Sequence, residues 1–276
     1  MKPGKMIRRV LEAQFDVIRR LKPAVCSGDA DALHDWRVSA RRLRTLMRVL
    51  SDGKLVSAKV ETLQSNWRLW SKKLGPARDA DVWGDVLRRP AFRRGLIRIP
   101  EGRAFLEAQM SQRHLFKKPV RKMLDQSAYD QLILQTGVFL KFELQKNLEK
   151  HAAEKITRAM QLAFDREIKR ARRKARQYLD TGDQQDLHLV RRCVRRARDL
   201  AETCHAFYPV VSPKMRRALQ ESQSALGVAH DAENHLTLLK GLSPAVARYV
   251  RASMRSQRDA ALTRFRKYWR QVKKHG

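Results

Sequence analysis

An all-α fold is what this sequence predicts, and three observations predict it. Apolar residues recur at intervals of three and four along most of the 276 residues. Alternating β-branched runs, which a half-buried strand needs, are few. The interruptions are short, with SGD, SDGK, YPVVSP and GLSP separating long periodic stretches. Helices are expected near 4–25, ahead of SGD; near 30–51, between SGD and SDGK; and near 54–74, up to the LG pair. A helix near 77–89 follows Pro76, a residue suited to a first helical turn, and another is expected near 101–126. The span 129–179 has no proline or strong stop, which predicts one or two long helices. Helices near 184–206, 212–226, 229–240 and 243–273 complete the chain, with YPVVSP and GLSP among their boundaries.

Charge narrows the function. Lys and Arg number 60 against 28 Asp and Glu, a formal net charge of +32. A folded chain so charged repels itself, and a polyanion relieves that repulsion: nucleic acid, an anionic membrane surface or a polyphosphate. At 43% apolar residues with helical spacing, the chain has a core to bury and is not a disordered basic tail. Cys26, Cys193 and Cys204 show no C-x-x-C spacing, and the last two would stand about 16 Å apart on one helix, so no disulfide or zinc site is expected. The charged N-terminus lacks the apolar stretch of a signal peptide, and no uncharged apolar run is long enough to span a bilayer. A cytoplasmic protein is expected.

The chain also repeats itself. SGDADALHDWRVSARRLRTL (27–46) aligns without a gap to TGDQQDLHLVRRCVRRARDL (181–200), and LGPARDAD (74–81) aligns to LGVAHDAE (226–233) at nearly the same offset. One domain over 1–276 is expected, built of repeats 1–152 and 153–276. Within the first copy, Trp36, Ala40, Leu43, Met47 and Leu50 form an apolar stripe, and Leu187, Val190, Val194, Ala197 and Ala201 form it in the second. Beside each stripe runs a cationic row: His34, Arg37, Arg41, Arg44 and Arg48, then His188, Arg191, Arg195 and Arg198. Like charges at this spacing repel, and no acid is interleaved on the same helix face, so the rows are read as anion sites. Val38/Arg192 and Thr45/Asp199 are read as solvent-side pairs free to differ between the copies.

LHDWRVSARRLRTLMRVL and LHLVRRCVRRARDLAETC, with LGPARDAD and LGVAHDAE after them, resemble the duplicated signature of the CHAD family, the conserved-histidine α-helical domain. That resemblance implies two pseudo-symmetric bundles of about four main helices each and a basic central channel that binds long-chain inorganic polyphosphate. By position it implies ligands at His34, Arg37, Arg41, Arg44 and Arg78, and at His188, Arg191, Arg195 and Arg198. His230 stands where Arg78 would predict a second arginine. Arg42, Arg48 and Arg196 join the candidate set, with Lys72 and Lys73 before the LG turn as secondary ligands. Asp79 and Asp231 are read as structural partners of arginines.

Polyphosphate is a flexible string of charge without bases, so its receptor needs forked donors along a track. From His34 to Arg44 the row is about 15 Å long. No catalytic residue, metal or cofactor is expected. His34-Asp35 and His230-Asp231 invite comparison with metal-dependent phosphohydrolases, yet the repeat pairs His34 with His188-Leu189 and His230-Asp231 with Arg78-Asp79. A field of arginines also opposes a divalent cation. The alternative is non-specific nucleic-acid binding, with Trp36, Trp67, Trp70, Trp83 and Trp269 as possible stacking residues; Trp36 already falls on the apolar stripe. Polyphosphate granules are the expected cellular address, and no membrane partner is expected. The clusters KKPVRK, IKRARRKARQ and RFRKYWRQVKK extend the track or keep the exterior cationic.

Overall fold

The computed structural model describes residues 2–203, 211–239 and 242–275, without the side chains of 112–114 and 275. Among these residues there is no strand. The helices are α1 (Pro3–Ser27), α2 (Ala30–Asp52), α3 (Lys59–Lys73), α4 (Gly75–Arg88), α5 (Pro90–Ile97), α6 (Gly102–Leu115) and α7 (Lys117–Leu124). They continue as α8 (Ser127–Val138), a π-helical turn (Phe139–Glu143), α9 (Leu144–Glu149), α10 (Ala153–Thr181), α11 (Gln184–Thr203), α12 (Pro213–Leu236) and α13 (Pro244–His275).

Glycine and aspartate decide where the two row-bearing helices begin. Gly28 takes a left-handed φ of 87°, its N–H and that of Asp29 cap the end of α1, and Asp29 Oδ1 accepts from Asp31 N and Ala32 N at 2.9 Å to start α2. The second copy uses the same device: Gly182 sits at φ 69°, and Asp183 Oδ1 accepts from Gln185 N at 2.9 Å. His34 and His188 therefore stand at the same depth in their helices.

Several elements depart from the sequence reading. The segment expected as one helix over 101–126 is two, and α5 over Pro90–Ile97 was not expected. Its start obeys a local rule, proline in the first turn, and Phe92 and Leu96 anchor it in the core. The stretch 129–179 divides near residue 151, and its first part contains the π turn. Leu132, Thr136, Leu140, Leu144 and Leu148 are buried at intervals of four, which on a regular α-helix would drift by about 160°. The wider π turn absorbs part of that drift. Conversely, 212–226 and 229–240 merge into α12, because Gly227 is tolerated inside a helix whose Ala225, Leu226, Ala229 and Ala232 are buried.

The chain divides into two compact units. Unit 1 holds the described residues of 1–78, 114–165 and 199–210, and unit 2 those of 79–113, 166–198 and 211–276. The units thus interleave in sequence rather than following the two repeats. Unit 1 buries the apolar stripe of α2, with Trp36, Ala40, Leu43, Met47 and Leu50 all out of solvent, packed with α1 residues Ile7, Leu11 and Ile18. Its aromatic centre is hydrogen-bonded: Trp36 Nε1 donates to Tyr129 Oη at 3.2 Å and Trp67 Nε1 to Thr136 Oγ1 at 3.0 Å. Unit 2 includes a cluster of Trp83, Phe92, Leu96, Val246, Val250 and Met254.

Candidate functional site

In unit 1 the row borders the core. His34 is exposed, while Arg37, Arg41, Arg42, Arg44 and Arg48 are partly buried. Partial burial holds the imidazole of His34 below its ordinary pKa, and Arg78 from the first turn of α4 is the next largest cause, against the opposing charge of Asp35. The structure thus brings His34, Arg41 and Arg78 into one electrostatic neighbourhood. Arg37 Nη1 donates to the Ser71 carbonyl near the end of α3. Lys72 and Lys73 are exposed on the last turn of α3, where cations suit the helix dipole, and Lys73 Nζ lies 4.4 Å from the centroid of Trp70.

Acidic partners do reach this row, from far away in the chain. Arg41 Nε and Nη2 donate to Asp199 Oδ2 and Oδ1 at 2.8 and 3.2 Å, and Arg42 pairs with Glu202. Arg42 Nε also lies 3.9 Å from Asp199. The solvent-side reading of Thr45 and Asp199 is therefore corrected: they are 6% and 1% exposed. A carboxylate so deeply buried is tolerable only when paired, and the fork of Arg41 supplies the pairing. Sequence reasoning missed both acids because ion pairs across 158 and 160 residues leave no local trace. A signal was nonetheless present. At the repeat's offset, Asp199 and Glu202 replace Thr45 and Arg48, so the second copy turns acidic where the first does not.

Unit 2 arranges its row differently. His188 on α11 and His230 on α12 face each other with ring centroids 5.4 Å apart. Burial first, then Arg191, His188 and Arg195, push the pKa of His230 down to about 4. The same burial effect, with Arg191, Arg192 and Arg195, lowers that of His188. Asn234 Nδ2 lies 3.3 Å from His230 Nε2. His188, His230 and Asn234 line an open pocket of about 500 Å³ with Gln184, Gln185, Leu187, Arg191 and Glu233. Gln184, Gln185 and Asn234 were not anticipated, since uncharged polar residues carry no pattern in a basic sequence. Arg196 and Arg198 are held from behind: Arg196 Nη1 donates to the buried Glu167 at 2.8 Å, and Arg198 to Gln223.

Several of the remaining motifs resolve into structure. All five tryptophans are buried, none above 5% exposed, so none offers a face for base stacking. In the IKRARRKARQ segment, Lys174 pairs with Asp186 at 2.8 Å and Arg172 Nη2 reaches the carbonyls of Val272 and Lys273. Cys193 is buried, with its thiol pKa pushed up to about 11 by burial, and Cys204 lies outside the described residues. Among the described residues, no group of three or more His, Cys, Asp or Glu converges as a metal site requires, and no helix is long and apolar enough to cross a membrane.

The profile described as the CHAD domain matches residues 9–240. The chain belongs to the CHAD family. Two solved structures share the CHAD fold seen here. The crystal structure of the CHAD domain from the plant Ricinus communis is 21% identical with a TM-score of 0.70, covering 95% of this chain and 86% of its own. PptA from Streptomyces chartreusis is 18% identical with a TM-score of 0.74, covering 98% of this chain and all of its own. No curated protein matches. As a CHAD domain, the chain places the histidine of each repeat near the residue three positions after the glycine of its LG pair, Arg78 in one and His230 in the other.

Proposed function

We propose that this CHAD domain binds long-chain inorganic polyphosphate without turning it over, through the cationic rows of both repeats. The observation that carries the reading is the duplicated cluster itself: His34 with Arg41 and Arg78, and His188 with Arg191 and His230. Guanidinium forks bind phosphate oxygens in bidentate fashion, and partly buried imidazoles add donors that gain a proton as phosphate approaches. Family membership supports the same ligand. The proposed role is non-enzymatic: recruitment to polyphosphate granules or regulation there, in the cytoplasm, which fluorescence microscopy of the tagged chain in phosphate-replete cells tests.

The choice of variants follows from the ion pairs. Arg41 is a poor probe, since its removal leaves Asp199 buried without its fork. Replacing Arg37, Arg78, Arg191 and Arg195 together by alanine avoids that pair. Calorimetry with a long polyphosphate should find binding weakened roughly 100-fold or more, with circular dichroism unchanged. Unaltered affinity in this folded variant overturns the reading, as does release of orthophosphate when polyphosphate is incubated with the protein and divalent metal.

A further inference from the structure

A second cationic surface lies on α13, a helix that carries none of the row residues. Arg248, Arg251, Arg255, Arg266, Arg270 and Lys273 are all exposed on this one helix of unit 2. At 100° per residue they fall within an arc of about 100°, and from first to last they extend over about 37 Å. None of the six has a carboxylate partner among the described residues, although the same helix pairs Arg258 with Glu233 and Asp259, and Arg264 with Glu221. Like charges at i, i+3 and i+4 destabilise a helix unless an anion compensates them.

The spacing within this face is not uniform. Three cations stand at each end, and the inner members, Arg255 and Arg266, are about 16 Å apart along the axis. Exposed Asp259 occupies the gap, its carboxylate 3.0 Å from Arg258 Nε. A polyanion laid continuously along the helix would run over that acid. A duplex would not: its major groove is about 12 Å wide, and a helix crossing it meets a phosphate backbone at each side and a void between. Long arginine side chains cover the remaining few ångströms. Single strands are disfavoured because Trp269 is buried and the Tyr268 ring already carries Arg264 and Lys267. No large apolar residue of α13 is exposed, which removes the wedge a membrane surface needs.

We infer that the outer face of α13 binds double-stranded nucleic acid through its phosphates, independently of sequence and of the histidine rows. Two triple variants of the full chain test this, R248Q/R251Q/R255Q and R266Q/R270Q/K273Q, by fluorescence anisotropy with a 25-base-pair DNA duplex. Each should weaken duplex binding at least tenfold near 100 mM salt and flatten the slope of log K against log salt by roughly 2.7, the value for three lost phosphate contacts. Polyphosphate affinity should stay within twofold. Duplex affinity unchanged in either variant overturns the inference. So does loss of duplex binding in the Arg37, Arg78, Arg191 and Arg195 variant, which would put the duplex on the histidine rows, and so does a single strand of equal length binding as tightly as the duplex. Failure of polyphosphate to bind the wild type would instead count against the proposed function alone.

Discussion

The rows of unit 1 and unit 2 descend from one sequence signature and end in different electrostatic states. In unit 1 the row is arginine-rich and braced by imported carboxylates, with Asp199 and Glu202 on Arg41 and Arg42. In unit 2 it opens into a pocket where two imidazoles face each other beside Arg191. In the first, guanidinium charge dominates and is partly cancelled by carboxylates. In the second, a facing pair of imidazoles adds a titrating charge. Duplication thus preserved the positions of the donors while long-range packing set their charge.

The largest effect should come from breaking the brace. Asp199→Thr gives α11 the residue that α2 carries, and it removes a buried charge on which Arg41 is forked. Loss of one partner of a buried pair costs about 3 kcal/mol, so urea denaturation should show a clear loss of stability. Thr45→Ser, at the equivalent position, should show little by comparison.

Next comes the pH response. In the ligand-free protein, burial and neighbouring cations hold His188, His230 and His34 below the usual 6.5. Bound phosphate favours the charged imidazole, so binding takes up protons, and affinity must rise as pH falls. Titration calorimetry from pH 8 to pH 5 should find polyphosphate binding tightened about tenfold, since one unit of pKa shift is worth a factor of ten. His230→Arg, which rebuilds the pairing of His34 with Arg78, should flatten that dependence. Stability without ligand should run the other way. His230 and buried His235, both near 4, leave the folded state holding fewer protons than the unfolded one, so stability is full above about pH 6.5 and declines as pH falls toward 4.

The smallest difference concerns the shared caps. Gly28→Ala and Gly182→Ala each force a side chain into left-handed backbone, at about 1 kcal/mol. A Cβ at Gly28 would also meet Lys117 at 2.8 Å, whereas Gly182 has nothing within 4 Å. Thermal melts should therefore rank Gly28→Ala as the more damaging.

Much of this molecule is legible in its residues. The α2 stripe lies where periodicity puts it, and the SGD and TGD breaks stand where α2 and α11 begin. Unexpected α5 and the break near 151 were less legible, because the interruption at 151 contains no proline or glycine and is closed by turn hydrogen bonds from Lys150 and His151. Thr45 and Asp199 illustrate the limit best. Polar residues at a helix edge read as solvated unless the partner is known, and the partner of Asp199 is Arg41 of the other repeat.

What the residues determined alone was helical periodicity, the breaks between helices and the duplication of a histidine and its arginines, each of them a pattern within a short stretch of chain. Tertiary structure decided which guanidinium groups meet a carboxylate, which imidazoles are desolvated, and that part of α11 belongs to unit 1. Burial and Coulomb interaction depend on distance in space, and residues 158 apart in sequence become neighbours only when the chain has packed.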